Sequence, residues 1–236
     1  MHLVPRIGLP LLLVVLTAAS PLGAQQPADT AAAEPGAWRA VEVWGGLASN
    51  SPRWGLLGAS PEMNFGLLAV RFVRPVGPPP RRAGSPTLEF MVDLIPVAML
   101  STPYRSARGT GLSCPNASLC VLPQTDSSGR LFPSGSSFGL GFNPAGLTAR
   151  FRGDRAVSPS VGVVVGGLLF DRAVPTTRAT RFNFTASAEF GVRIGPPDRQ
   201  GITLMYRFHH LSNAGTSPEN PGVASHLFTA GLRFRR

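Results

Sequence analysis

Between Phe182 and Ile194 every second residue is apolar. The even positions are Phe182, Phe184, Ala186, Ala188, Phe190, Val192 and Ile194; between them lie Asn183, Thr185, Ser187, Glu189, Gly191 and Arg193. Side chains of a strand alternate between its faces, so this stretch reads as a strand with one greasy face and one polar or small face. The code returns in Leu88, Phe90, Val92 and Leu94 against Glu89, Met91 and Asp93. It recurs in Leu68–Val73, Leu147–Arg152 and Phe228–Arg235. Eight strands are predicted, at about residues 39–48, 64–74, 86–99, 136–152 (kinked near Pro144), 159–171, 181–194, 201–212 and 226–236. Pro-, Gly- and Ser-rich stretches such as Val76–Pro86 and Thr102–Ser137 separate them.

An even number of alternating strands, with no segment of helical period, is the pattern of a single-chain bacterial barrel. A soluble β-sandwich alternates too, but its polar face is rich in Lys and Glu. This chain contains no lysine, and its polar faces carry small residues, arginines and acids that can pair across a narrow interior. The expected fold is all-β: an eight-stranded antiparallel transmembrane β-barrel of the bacterial outer membrane, covering residues 39–236.

Composition agrees. Gly (27) and Pro (24) are abundant, but 43% hydrophobic and 14% charged residues are not the make-up of a disordered chain. Residues 1–24 read as an export signal: Arg6, an apolar run from Leu9 to Ala18, and Leu22-Gly23-Ala24 before Gln25. Residues 25–38 form an N-terminal segment ahead of the barrel. The net charge of +10 suits an anionic partner, and export directs it away from nucleic acid and towards the phosphate of lipopolysaccharide. Arginines lining the barrel interior account for the same surplus. Cys114 and Cys120 lie in a Pro/Asn/Ser stretch with no histidine nearby, so a disulfide is expected there rather than a metal site.

The seventh strand carries the candidate chemistry. Ile202, Leu204, Tyr206, Phe208, His210 and Ser212 share one face; Thr203, Met205, Arg207, His209 and Leu211 share the other. The apolar even face should meet lipid, so His210 and Ser212 emerge together on the lipid side at the strand's end. A polar pair there is costly unless it lies at the headgroup boundary or performs a function. A histidine beside a serine can act as base and nucleophile, at the depth where lipid acyl esters reside. His209 should face the lumen as a hydrogen-bonded filler, and Glu189 and Asp93 should pair there with arginines. His226 begins the last strand on the lipid side, close to the site or to the interface. Trp38, Trp44 and Trp54 mark the membrane boundary or pack near the first turn.

The string Phe208-His-His-Leu-Ser-Asn-Ala-Gly215 followed by Asn220-Pro-Gly222 resembles the lipid A 3-O-deacylase family, closely over residues 205–232. Looser likeness extends upstream through Leu94-Ile-Pro-Val-Ala98, Pro103-Tyr-Arg105 and Gly141-Phe-Asn-Pro-Ala-Gly146. The resemblance implies a barrel that removes the 3-linked hydroxyacyl chain of lipid A without metal or cofactor. It implies His210 as general base, Ser212 as nucleophile, and Asn213 and Asn220 as oxyanion support. The family's orienting acid falls on Ala224, so that member of the triad is missing; Glu219 is the nearest acid in sequence that could substitute.

Two readings follow: a serine esterase of lipid A, or a catalytically impaired or inactive barrel of the same descent with an envelope structural or lipid-binding role. A pore is disfavoured, because eight strands leave an interior filled by side chains. The expected partners are lipid A and the surrounding outer-membrane lipids, with a homodimer left open.

Overall fold

A computed structural model describes residues 37–48, 63–77, 85–102, 105–106, 121–122, 124–125, 129–133 and 135–235. The expected signal (1–24), most of the N-terminal segment, Trp54, Cys114 and Cys120 lie outside the described residues. Eight long strands close into an antiparallel barrel: β1 (Ala40–Ala48), β2 (Asn64–Val76), β3 (Thr87–Thr102), β4 (Gly135–Arg150), β5 (Val157–Val174), β6 (Thr180–Ile194), β7 (Gly201–Ser212) and β8 (Val223–Arg235). Each strand pairs with its sequence neighbour, and β1 closes the cylinder on β8 from Ala40↔Arg235 to Leu47↔Phe228. At the end that holds Ala40 and Arg235 the described connections are 151–156 and 195–200, and the sequence runs only from Val76 to Thr87 between β2 and β3. At the other end the described connections are 175–179 and 213–222, and the sequence runs from Ala48 to Asn64 and from Thr102 to Gly135 between strands. Bacterial barrels keep short turns on the periplasmic side and longer loops outside. The second end is therefore extracellular.

Alternation sets inside and outside. Leu94, Leu147, Val163, Phe184, Phe190, Ile202, Leu204, Phe228 and Leu232 all lie exposed on the outer wall. Such a row of large exposed apolar side chains around the wall suits contact with lipid. Pro144, which has no N–H to give a ladder, sits at the register shift between Phe142 and Ala145 on β4.

The interior divides into two layers. In the middle and lower part, Arg71 grips Asp93 (2.7 and 3.0 Å) and Glu189 (2.8 and 2.9 Å), and Arg207 also pairs with Glu189. Asn143 donates to Asp93 at 3.0 Å. It has room to do so because Gly166 faces it: a Cβ there would stand 2.1 Å from the Asn143 amide oxygen. Lower still, Glu89 accepts from both Arg150 (2.8 Å) and Arg233 (2.7 Å). The expected inward pairing of Glu189 and Asp93 with arginines is therefore present.

Trp44 is not at the membrane boundary. It is 1% exposed and lies inside the lumen, its ring 4.1 Å from the Arg207 guanidinium and 5.7 Å from that of Arg71. On β1 the inward face is the even one, and an aromatic π-face beside two buried cations is a favourable seat. Trp38 does lie at the outer surface, edge-on to Phe72. The extracellular part of the lumen is an apolar plug that includes Phe65, Leu100, Phe132, Leu168, Phe170, Leu211, Val223 and Leu227.

Candidate active site

The site stands on that plug. Leu211, 1% exposed, points into it from β7, and Val223 and Leu227 do so from β8. Locking these inward residues fixes the ones between them. His210 and Ser212 accordingly project outward, half-buried, at the extracellular end of β7. On one side Ser212 pairs with Phe184 and His210 with Ala186 of β6; on the other His210 pairs with Ala224 of β8. As same-face neighbours two residues apart, their Cα atoms are about 7 Å from each other, and an imidazole can span that gap to a hydroxyl. The Nδ1 atom of His210 is buried.

His209 faces inward as expected, 3% exposed, and among the described residues its contact is a ring stack on Phe65 at 4.7 Å. His226 lies on the outer face across from Phe208, and its Nδ1 is hydrogen-bonded to the Tyr206 hydroxyl with the rings stacked at 5.7 Å. Neither partner of that outward polar pair is signalled as such by alternation, because Tyr206 reads as one more residue of the greasy face.

Beyond Ser212 the chain turns back on itself around Asn213. Ala214 and Gly215 both take left-handed conformations, with φ of 53° and 76°. Gly215 tolerates this freely, whereas Ala214 does so at some strain. Asn213 is 1% exposed and satisfies the turn: its Oδ1 accepts from Gly215 N–H (2.9 Å), and its Nδ2 donates to Ser217 Oγ (2.7 Å) and the Glu219 carbonyl (2.8 Å). Its own N–H donates to Asn220 Oδ1 at 3.0 Å. The donors of Asn213 are thus engaged inside the loop. Asn220 is exposed above it, with its Nδ2 as the donor end of the amide.

Among the described residues, no carboxylate occupies the ladder position across from the imidazole. Ala224, 1% exposed, fills it with a methyl group. Glu219, the expected substitute, is held by Arg178 of the β5–β6 connection at 3.7 Å, and among the described residues it makes no contact with His210. Its backbone, not its carboxylate, is what the loop uses.

Among solved structures, the outer membrane enzyme PagL is similar over 80% of this chain and 97% of its own, at 14% identity and a TM-score of 0.47. Neisserial surface protein A (NspA) is similar over 84% of this chain and 97% of its own, at 14% identity and a TM-score of 0.44. No curated protein matches the chain by sequence. The family model of PagL, lipid A 3-O-deacylase, matches residues 122–233, a span that runs to the last strand and holds His210, Ser212, Asn213, Asn220 and Ala224; over that span the chain is similar to the lipid A 3-O-deacylase family.

Proposed function

We propose that this outer-membrane barrel is a serine esterase that hydrolyses the 3-O-linked hydroxyacyl ester of lipid A. The observation that carries the reading is the outward placement of His210 and Ser212 together at the extracellular rim of β7. There the substrate arrives by lateral diffusion, its ester at the height of the hydroxyl.

In this mechanism His210 removes the Ser212 proton as Oγ attacks the ester carbonyl. The tetrahedral oxyanion takes a hydrogen bond from Asn220 Nδ2, whose amide is held by the Asn213 N–H. One such fixed donor is worth roughly 3 kcal/mol in the transition state. Collapse breaks the C–O bond to the sugar. The 3-oxygen leaves with the proton from His210, and the hydroxyacyl group remains on Ser212. A water, deprotonated by the same imidazole, then releases the hydroxy fatty acid and restores the serine. These steps draw on side chains of the barrel alone.

Among the described residues the centre is a dyad. A carboxylate that fixes the imidazole tautomer and stabilises its charged form contributes up to about 10⁴ in rate, and Ala224 supplies none. The enzyme is therefore expected to be slow. The same residue favours the second reading, an inactive family barrel that binds or organises lipid without cleaving it.

One experiment separates them. The folded barrel is placed in membranes with fully acylated lipid A, and the lipid is examined by mass spectrometry. Loss of one hydroxyacyl group, absent in Ser212→Ala, supports the esterase. An unchanged lipid A under conditions where the barrel is folded sinks it.

A further inference from the structure

Beside the candidate nucleophile, on the side away from β8, the extracellular rim carries arginines that the ester chemistry does not use. Arg172, Arg178 and Arg181 bracket the short connection from β5 to β6. Arg172 is engaged, with its Nε donating to Ser137 Oγ at 2.5 Å. The other two are engaged only in part. Arg181 sits at the register shift between Thr180 and Phe182, which turns it out of strict alternation and leaves it exposed. Its Nε donates to the Phe170 carbonyl at 3.0 Å, fixing the base of the guanidinium while its two terminal nitrogens have no acceptor among the described residues. Arg178 has a side chain 69% exposed, and its partner is a single Glu219 oxygen at 3.7 Å, too long for a hydrogen bond.

These two cations are close to the chemistry. Arg181 lies three residues before Phe184, the ladder partner of Ser212, which is about 10 Å along the strand. Arg178 reaches the loop that begins one residue after Ser212, through Glu219. A planar guanidinium with its base already fixed is suited to a bidentate grip on a phosphate, and binding a dianion costs it little further ordering. Phosphate at this height belongs to the headgroup layer.

We propose that Arg178 and Arg181 form an anion subsite that takes a phosphate monoester on the sugar headgroup of the lipid substrate, setting the sugar so that its acyl ester lies over Ser212. Arg178 exchanges its long contact with Glu219 for the phosphate; Arg181 is already in place. The subsite rests on the esterase reading for its purpose but not for its detection, since binding is measured without turnover.

The test uses the full barrel, folded in detergent micelles and carrying Ser212→Ala so that nothing is cleaved. It is titrated with bisphosphorylated lipid A and with the same lipid stripped of its phosphates. The phosphorylated lipid should bind at least about tenfold more tightly, as charge-assisted guanidinium–phosphate pairs imply. Arg178→Gln with Arg181→Gln should erase that difference and leave the stripped lipid's affinity unchanged. Arg155→Gln, at the opposite end of the barrel and 73% exposed, should retain it. Equal affinity of the parent barrel for both lipids overturns the subsite, as does a preference that survives the double substitution. Inorganic phosphate at the lipid's own concentration should not compete; if it displaces the lipid, the site is one for free phosphate and the assignment to a headgroup is wrong. Failure of the esterase reading would leave a different record: phosphate-dependent binding intact, and no ester cleavage once Ser212 is restored.

Discussion

His210 on β7 stands directly across the ladder from Ala224 on β8. Paired residues on adjacent strands hold their Cβ atoms about 4.5–5.5 Å apart, so a carboxylate carried at position 224 would reach the imidazole and a methyl group does not. Introducing the acid is the informative change. Ala224→Glu should raise the initial rate of hydroxyacyl release, by up to about 10⁴ if tautomer control is all that is missing. Ala224 is 1% exposed, so folding of the variant is checked first by its heat-dependent gel mobility. A folded Ala224→Glu barrel with unchanged rate would show that this seat does not serve His210.

Adjacent histidines on opposite sides of the wall give a second contrast. His210→Ala should lower deacylation by about 10³ or more, matching Ser212→Ala, because the two act as a unit. His209 is walled off in the lumen against Phe65. His209→Ala should keep the rate within a few-fold while lowering the unfolding midpoint, with a lost aromatic pair worth about 0.5–1.5 kcal/mol. Equal loss of activity in both histidine variants would contradict the assignment of roles.

Much of this arrangement is legible in the sequence, and the reason is the two-residue period. It is local, it repeats in every strand, and in a barrel both faces have fixed meanings. Hence the even face of β7 and the inward turn of Glu189 and Asp93 could be read directly. Period alone does not reveal which face of a short strand is inner. Trp44 shares its face with Glu42 and Ala40, and a bulky aromatic there reads as a boundary residue until Arg71 and Arg207 are seen beside it. The loop was least legible. Asn213 and Asn220 look alike in sequence, yet one is consumed by the turn it builds and the other is presented above it. Arg181 is exposed where the β5–β6 ladder shifts register, and nothing in the local pattern announces the shift.

The charged layer makes its own prediction. Arg71 holds both Asp93 and Glu189, and all three are at most 3% exposed. Removing the cation leaves two buried carboxylates relying on Arg207 and Asn143. Arg71→Met should cost about 3–5 kcal/mol, read as an earlier midpoint in urea unfolding of the detergent-folded barrel. A companion that also neutralises Glu189 (Arg71→Met with Glu189→Gln) should recover part of that loss. A midpoint unmoved by Arg71→Met would show that water reaches this layer freely.

The two asparagines of the loop can be separated by one isosteric change. Asn220→Asp keeps the oxygen that accepts from Asn213 N–H at 3.0 Å and deletes the Nδ2 donor, so the turn should persist while the oxyanion loses its hydrogen bond. Deacylation should fall by about 10²–10³ in kcat, with resistance of the loop to proteolysis unchanged. Asn213→Ala removes the hub instead: Gly215 N–H loses its acceptor, and Ser217 Oγ and the Glu219 carbonyl lose a donor. Leaving such groups unsatisfied costs about 1–3 kcal/mol. Activity and protease resistance should then fall together. If Asn220→Asp behaves like Asn213→Ala, Asn220 serves only to hold the turn, and the oxyanion donor must be sought among the loop's backbone amides.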